Sequence, residues 1–245
     1  MVLLIISIII FLAASIIVFR IGWRLLRVWR ILREEALLHL TLMVFYGVGM
    51  IVGLAILTFF FPTFPQPVAY RDFVLTFGVF YDLFYLEFAL FYLALFSNSR
   101  RFIEKYIPVI MVGAITLNLV ILFIPSENLF LITLFLHSLA IIVGISLIVG
   151  LYLRIKANEQ YFSREEEQEF IQLIKKVVLG IFIVSVPDGV GFLGATFFPF
   201  VITEYGILFV AIVVFGIAII AYYLSNLVAR KGKNCDFSHF FNTIS

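Results

Sequence analysis

The sequence predicts an all-α membrane protein: a bundle of seven transmembrane helices, amino terminus outside, carboxyl terminus in the cytoplasm. Three observations predict it. Hydrophobic residues are 64% of the 245 and charged residues only 13%, a balance that soluble domains do not have. Apolar runs recur at about 1–19, 36–61, 68–97, 107–124, 128–153, 176–199 and 204–229, each long enough to span as a helix. Strict apolar and polar alternation, the mark of a spanning barrel, is missing, so helices are the spanning element. Residues 1–229 read as one membrane domain and 230–245 as a short cytoplasmic tail. The connecting segments leave no room for a kinase, nucleotide-binding or DNA-binding domain, and nucleic acid is not an expected partner.

The first span runs directly into Arg20, Arg24, Arg27, Arg30 and Arg33 with no basic residue before it. That charge order fits an uncleaved first helix with its arginines in the cytoplasm. Under this orientation all of the 17 lysines and arginines except Arg71 fall on the cytoplasmic side. Residues 20–35 place Ile21, Leu25, Val28, Trp29 and Leu32 on one helical face, which predicts an amphipathic helix lying at the interface in the first cytoplasmic loop. The five arginines would anchor it, with anionic lipid or a protein partner as the functional alternative.

The second span carries Gly47, Gly49 and Gly53, a small-residue patch that permits close helix approach. His39, near its cytoplasmic end, is expected to be solvated or to cap the helix. The proline-rich connection 61–70 suits an extended turn on the outer side.

The third span carries Asp82 and Glu87 deep in an apolar run. Carboxylates at such depth cost a few kcal/mol each or more, so they face other helices or water and serve a task. On a helical wheel Arg71, Gly78, Asp82, Tyr85, Ala89 and Tyr92 share one stripe, and Asp72, Thr76, Leu83 and Glu87 fall roughly opposite. Neither half suits lipid, so this helix is expected to be surrounded by others. The plainer reading of Asp82 is a carboxylate hydrogen-bonded for packing alone.

Asn118 in the fourth span and His137 in the fifth stand alone among apolar neighbours. The segment 154–176 offers Ser163 and Glu166 in capping-box spacing, so the sixth helix is expected to begin as a cytoplasmic extension at about residue 164. Its span contains Pro187, Asp188, Gly189 and Gly191, and a proline that frees carbonyls there predicts a kink or hinge. With a rise of about 1.5 Å per residue, Asp82 and Asp188 fall near the midplane, Asn118 and His137 about 5 Å or less to its outer side, and Glu87 roughly 6 Å toward the cytoplasm.

Tyr81-Asp82 resembles half of the signature of intramembrane aspartyl proteases. The other half departs: Ser185-Val186-Pro187-Asp188 stands where that family has Gly-x-Gly-Asp, and its Pro-Ala-Leu element is absent, so catalysis is not expected. Metal-assisted hydrolysis would need several membrane histidines, and only His137 lies deep. The single cysteine, Cys235, excludes an internal disulfide and a cysteine-based zinc cluster. Seven helices in this orientation also resemble microbial rhodopsins, but residues 204–229 hold no lysine, which excludes covalent retinal; no cofactor or metal is expected.

The layout resembles the seven-helix membrane input modules of prokaryotic sensor kinases, with a short basic first loop, an aromatic third span ending in a basic loop, and compact size. That resemblance implies a non-enzymatic sensor or receptor-like protein in a prokaryotic cell membrane, signalling to a separate partner at its cytoplasmic loops. Asp82, Tyr85, Glu87, Asn118, His137 and Asp188 would then line an outward-facing pocket for a small ligand or ion. The alternative is a proton- or cation-coupled transporter or channel subunit using Asp82, Glu87 and Asp188. A further alternative is an assembly or scaffold subunit of a membrane complex, held together by the same polar layer.

Overall fold

A computed structural model describes residues 1–60, 78–95, 127–161 and 204–231, with further helical residues between 109 and 123 and between 165 and 179. The described elements are helical: α1 (Val2–Leu32), α2 (Glu35–Phe60), α3 (Val79–Leu95), α4 (Glu127–Asn158) with a 3-10 turn at Glu159–Tyr161, and α5 (Glu204–Lys231). Three of them are long and apolar enough to cross a membrane, over Val2–Ile31, Glu35–Phe60 and Ile207–Leu227.

The expected amphipathic loop helix is not a separate element. α1 continues without a break through Leu32, and only Arg33 turns the chain, at φ 58° in the left-handed region, where its N–H bonds to the Trp29 carbonyl at 2.7 Å. Glu35 already opens α2, so α1 and α2 form a helical hairpin with a two-residue connection. The reason is local: residues 20–32 contain neither proline nor a polar cap that would end a helix, and helix propagation carries α1 past the bilayer. At about 1.5 Å per residue its 31 residues exceed a hydrocarbon core of about 30 Å.

α1 packs along both α2 and α5, α2 along α3, and α3 more narrowly on α4. Phe11, Ala55, Ile207 and Ala211 form one buried cluster from α1, α2 and α5. Close approach of α1 and α2 needs Gly22, where an added Cβ would stand 3.1 Å from the Phe45 ring. Phe19 meets the same ring at 5.6 Å between centroids. Phe11 beside Ala55 and Gly22 beside Phe45 make α1 and α2 antiparallel. Phe11 near Ala211, and Arg24 within 3.2 Å of Tyr222, make α1 and α5 run in the same direction.

The outer face of α1 presents Ile5, Ile9, Leu12, Ile16, Phe19 and Trp23 at three- and four-residue spacing, all exposed. Phe209, Val210, Ile212, Val213, Ile219 and Ile220 are exposed on α5. Continuous apolar surface of this extent is stable against hydrocarbon and costly against water, at about 25 cal/mol per Å². Hydroxyls close on their own helices: Ser7, Thr41 and Thr58 donate to the carbonyls of Leu3, Leu37 and Leu54 four residues back, at 2.7–2.9 Å, so no polar group of theirs is presented to an apolar surrounding.

Candidate functional site

The site is built on α3. Tyr81, Asp82, Tyr85, Glu87, Phe88 and Ala89 are all buried, and Asp82 has no exposed surface. Burial covers the face with Tyr81, Asp82, Tyr85 and Ala89 and recurs at Glu87 and Phe88, while Phe80 is exposed, so neighbours cover part of this helix. Tyr81 and Tyr85 lie one turn apart with ring centroids at 4.9 Å, and Phe84 meets Tyr85 edge-on at 5.4 Å. This aromatic wall fixes the α3 face that carries Asp82.

The glycines of α2 set the register. An added Cβ on Gly49 would fall 2.4 Å from the Phe80 ring, and one on Gly47 would fall 3.7 Å from the Phe84 ring. Asp82, between Phe80 and Phe84, is therefore level with the middle of α2 (Glu35–Phe60).

Glu87 reaches across to α2. Its Oε2 is 2.7 Å from Nδ1 of His39, and His39 is in the second turn of α2. Phe45 is level with residues 19–22 of α1, so His39, six residues earlier on the antiparallel α2, is level with the arginine band. Glu87 is thus near the arginine-bearing rim, about five residues or 7–8 Å along α3 from Asp82. His39 is correspondingly corrected: it neither caps α2 nor faces solvent alone, because its side chain is only 16% exposed and bridges two helices. Its other nitrogen, Nε2, is 3.7 Å from Oε1 of Glu35, whose side chain is 80% exposed.

The sequence offered one signal for this pair. A histidine four residues after a glutamate on an apolar helix, beside a second apolar helix with a glutamate, has a buried partner available; the pairing itself depends on register, which no periodicity encodes.

Arg20, Arg24, Arg27, Arg30 and Arg33 are all exposed, on the last turns of α1 and its cap. Arg24 donates to the Tyr222 hydroxyl, and its guanidinium lies 5.0 Å from that ring's centroid. Arg27 lies over Trp23 and Arg33 over Trp29, as interfacial arginine and tryptophan side chains do. At the α4 end Glu159 pairs with Lys175 at 2.7 Å and accepts a hydrogen bond from Gln172. Glu159 and Gln172 line a polar crevice of about 510 Å³ with Glu165, Glu169, Lys176 and Leu227, which shares no residue with the α3 carboxylates.

His137 lies in α4, its side chain beyond what is described. Asn118, Pro187, Asp188, Gly189 and Gly191 lie outside the described residues, as does the proposed hinge. Among the described residues no three histidine, cysteine or carboxylate side chains converge as metal ligands. No protein-family model matches the chain, and neither a curated protein nor a solved structure matches it.

Proposed function

We propose that this chain is a seven-span protein of a prokaryotic cell membrane, with its amino terminus outside, that carries a proton or cation through its bundle as a transporter or channel-type subunit. The observation that carries this reading is the burial of Asp82 and Glu87 on one helix, with Glu87 against His39. Burying two carboxylates within an apolar bundle opposes folding unless each is paired or protonated, so their retention supports a role that uses the charge. The parallel run of α1 and α5 supports an odd number of crossings between them inclusive, consistent with seven. The sensor reading rests on an outward pocket of Asp82, Tyr85, Glu87, Asn118, His137 and Asp188 and shares the buried carboxylates with the transport reading; Asn118 and Asp188 lie outside the described residues.

The test is ion flux. The full-length protein in liposomes containing a pH-sensitive dye is given, in turn, a proton, sodium or potassium gradient. Wild type should dissipate at least one gradient faster than protein-free liposomes, and Asp82→Asn should abolish that flux while the protein stays folded. Wild-type liposomes indistinguishable from empty ones for all three ions would refute the reading.

A further inference from the structure

We infer that Glu35, His39 and Glu87 form a proton path from the arginine-bearing rim into the bundle. The inference deepens the transport reading and names the ion that enters at this end.

The geometry is directional. Glu35 is exposed, in the first turn of α2. His39 is one turn further in, with one ring nitrogen toward Glu35 and the other on Glu87. Glu87 is buried on the facing helix. An imidazole with its two nitrogens toward two carboxylates can take a proton on one side as it gives one up on the other. With His39 neutral and its proton on Nδ1, Glu35 in its protonated form gives H⁺ to Nε2 while the Nδ1 proton passes to Oε2 of Glu87. The net change is one proton moved from Glu35 to Glu87, with the imidazole neutral before and after. The 2.7 Å step needs no rearrangement. The 3.7 Å step is beyond a hydrogen bond, and rotation of the exposed Glu35 side chain or one bridging water closes it.

Among the described residues, other titratable groups flank the path. On α2, Tyr46 lies about two turns beyond His39; on α3, Asp82 and Tyr85 follow inward. Of the α1 arginines at this level, Arg24 is engaged by Tyr222, and Arg27 and Arg33 by their own tryptophans. α4, which packs on α3, carries Tyr152, Arg154 and Lys156 toward its end, and Glu159 beyond it is held by Lys175. The path ends on α3, the helix that also carries Asp82 on a different face, and a proton delivered to Glu87 is about one and a half turns from that carboxylate.

The experiment follows the proton without requiring flux. Full-length protein in liposomes is acidified rapidly from about pH 8 to about pH 5, and the carbonyl stretch of protonated carboxyl groups is recorded by time-resolved infrared spectroscopy. The Glu87 band is the one missing in Glu87→Gln. Glu35→Gln and His39→Gln should each slow its appearance by roughly tenfold or more, the size of an assisted proton transfer, and leave its final amplitude unchanged in Glu35→Gln. Because Glu35 is on the surface, its substitution leaves the fold intact and keeps the test decisive if His39→Gln does not fold. Unchanged rates in Glu35→Gln, or no Glu87 band on acidification, would overturn the path. Slowed uptake at Glu87 in a protein that passes no ion would uphold the path and remove the transport reading; ion flux with Glu87 uptake indifferent to Glu35 would do the reverse.

Discussion

Arg24 of α1 holds the Tyr222 hydroxyl of α5 at 3.2 Å while its guanidinium lies 5.0 Å from the centroid of the same ring. Thirteen residues earlier on α1, Phe11 packs in one cluster with Ile207 and Ala211 of α5. Two parallel spanning helices must be separated by an odd number of crossings, which sends the two ends of the chain to opposite faces. Cys235 is the single cysteine and follows α5. A membrane-impermeant maleimide should therefore label inverted vesicles and leave intact cells unlabelled. Labelling of intact cells would reverse the orientation and move the arginine band outside.

Gly49 gives a stability prediction. An added Cβ would meet three Phe80 ring atoms at 2.4–2.7 Å, whereas one on Gly47 meets Phe84 at 3.7 Å and one on Gly216 meets nothing within 4 Å. Gly49→Ala should cost about 1–3 kcal/mol, the usual penalty of overpacking, and Phe80→Leu should recover most of it. Gly47→Ala and Gly216→Ala should be close to neutral. Denaturant unfolding in detergent micelles measures all four. A neutral Gly49→Ala with Phe80 intact would mean that the ring swings clear.

What the sequence made legible follows from what each feature depends on. The apolar runs at 36–61 and 204–229 became α2 and most of α5 because span length and composition suffice for a helix in hydrocarbon. Asp82 and Glu87, which the wheel sets on different faces of the third span, are both buried. Residues 20–32 misled, because an amphipathic wheel is the same whether the helix lies along the interface or extends α1 out of it; the two-residue turn at Arg33 decides between them. His39 misled for a different reason. Its partner is 48 residues away, fixed by how Gly47 and Gly49 seat against α3, and a wheel drawn for one helix says nothing about that seating.

Removing one member of the His39 and Glu87 pair leaves the other buried and unanswered. Glu87→Ala and His39→Ala should each destabilise the protein by about 1–3 kcal/mol. The double variant should be less destabilised than their sum, with a coupling on the order of 0.6–1.7 kcal/mol, as found for polar pairs between membrane helices. A four-member unfolding cycle measures it, run with Ser146→Ala as a distant control, since Ser146 bonds only to the Ile142 carbonyl of its own helix at 2.8 Å. Full additivity of His39→Ala and Glu87→Ala would reduce the 2.7 Å contact to an energetically idle one.

Asp82 separates a working carboxylate from a packing one. It is wholly buried beside the Tyr81 and Tyr85 rings and level with the middle of α2. Asp82→Asn keeps the shape and most of the hydrogen-bonding capacity and removes the ionisable proton, so a packing role predicts stability and function near wild type. Asp82→Leu keeps the branched shape, adds volume and removes all polarity; since replacing buried charge by apolar side chains is often neutral or stabilising by about 1–4 kcal/mol, it should fold. If Asp82 binds the transported ion, both variants remain folded and both lose flux, whereas Glu87→Gln, nearer the rim, alters the rate and its pH dependence before it alters the fold. Flux at the wild-type rate in folded Asp82→Asn between about pH 5 and pH 8 would place the transported ion's site elsewhere and leave Asp82 as a packing residue of α3.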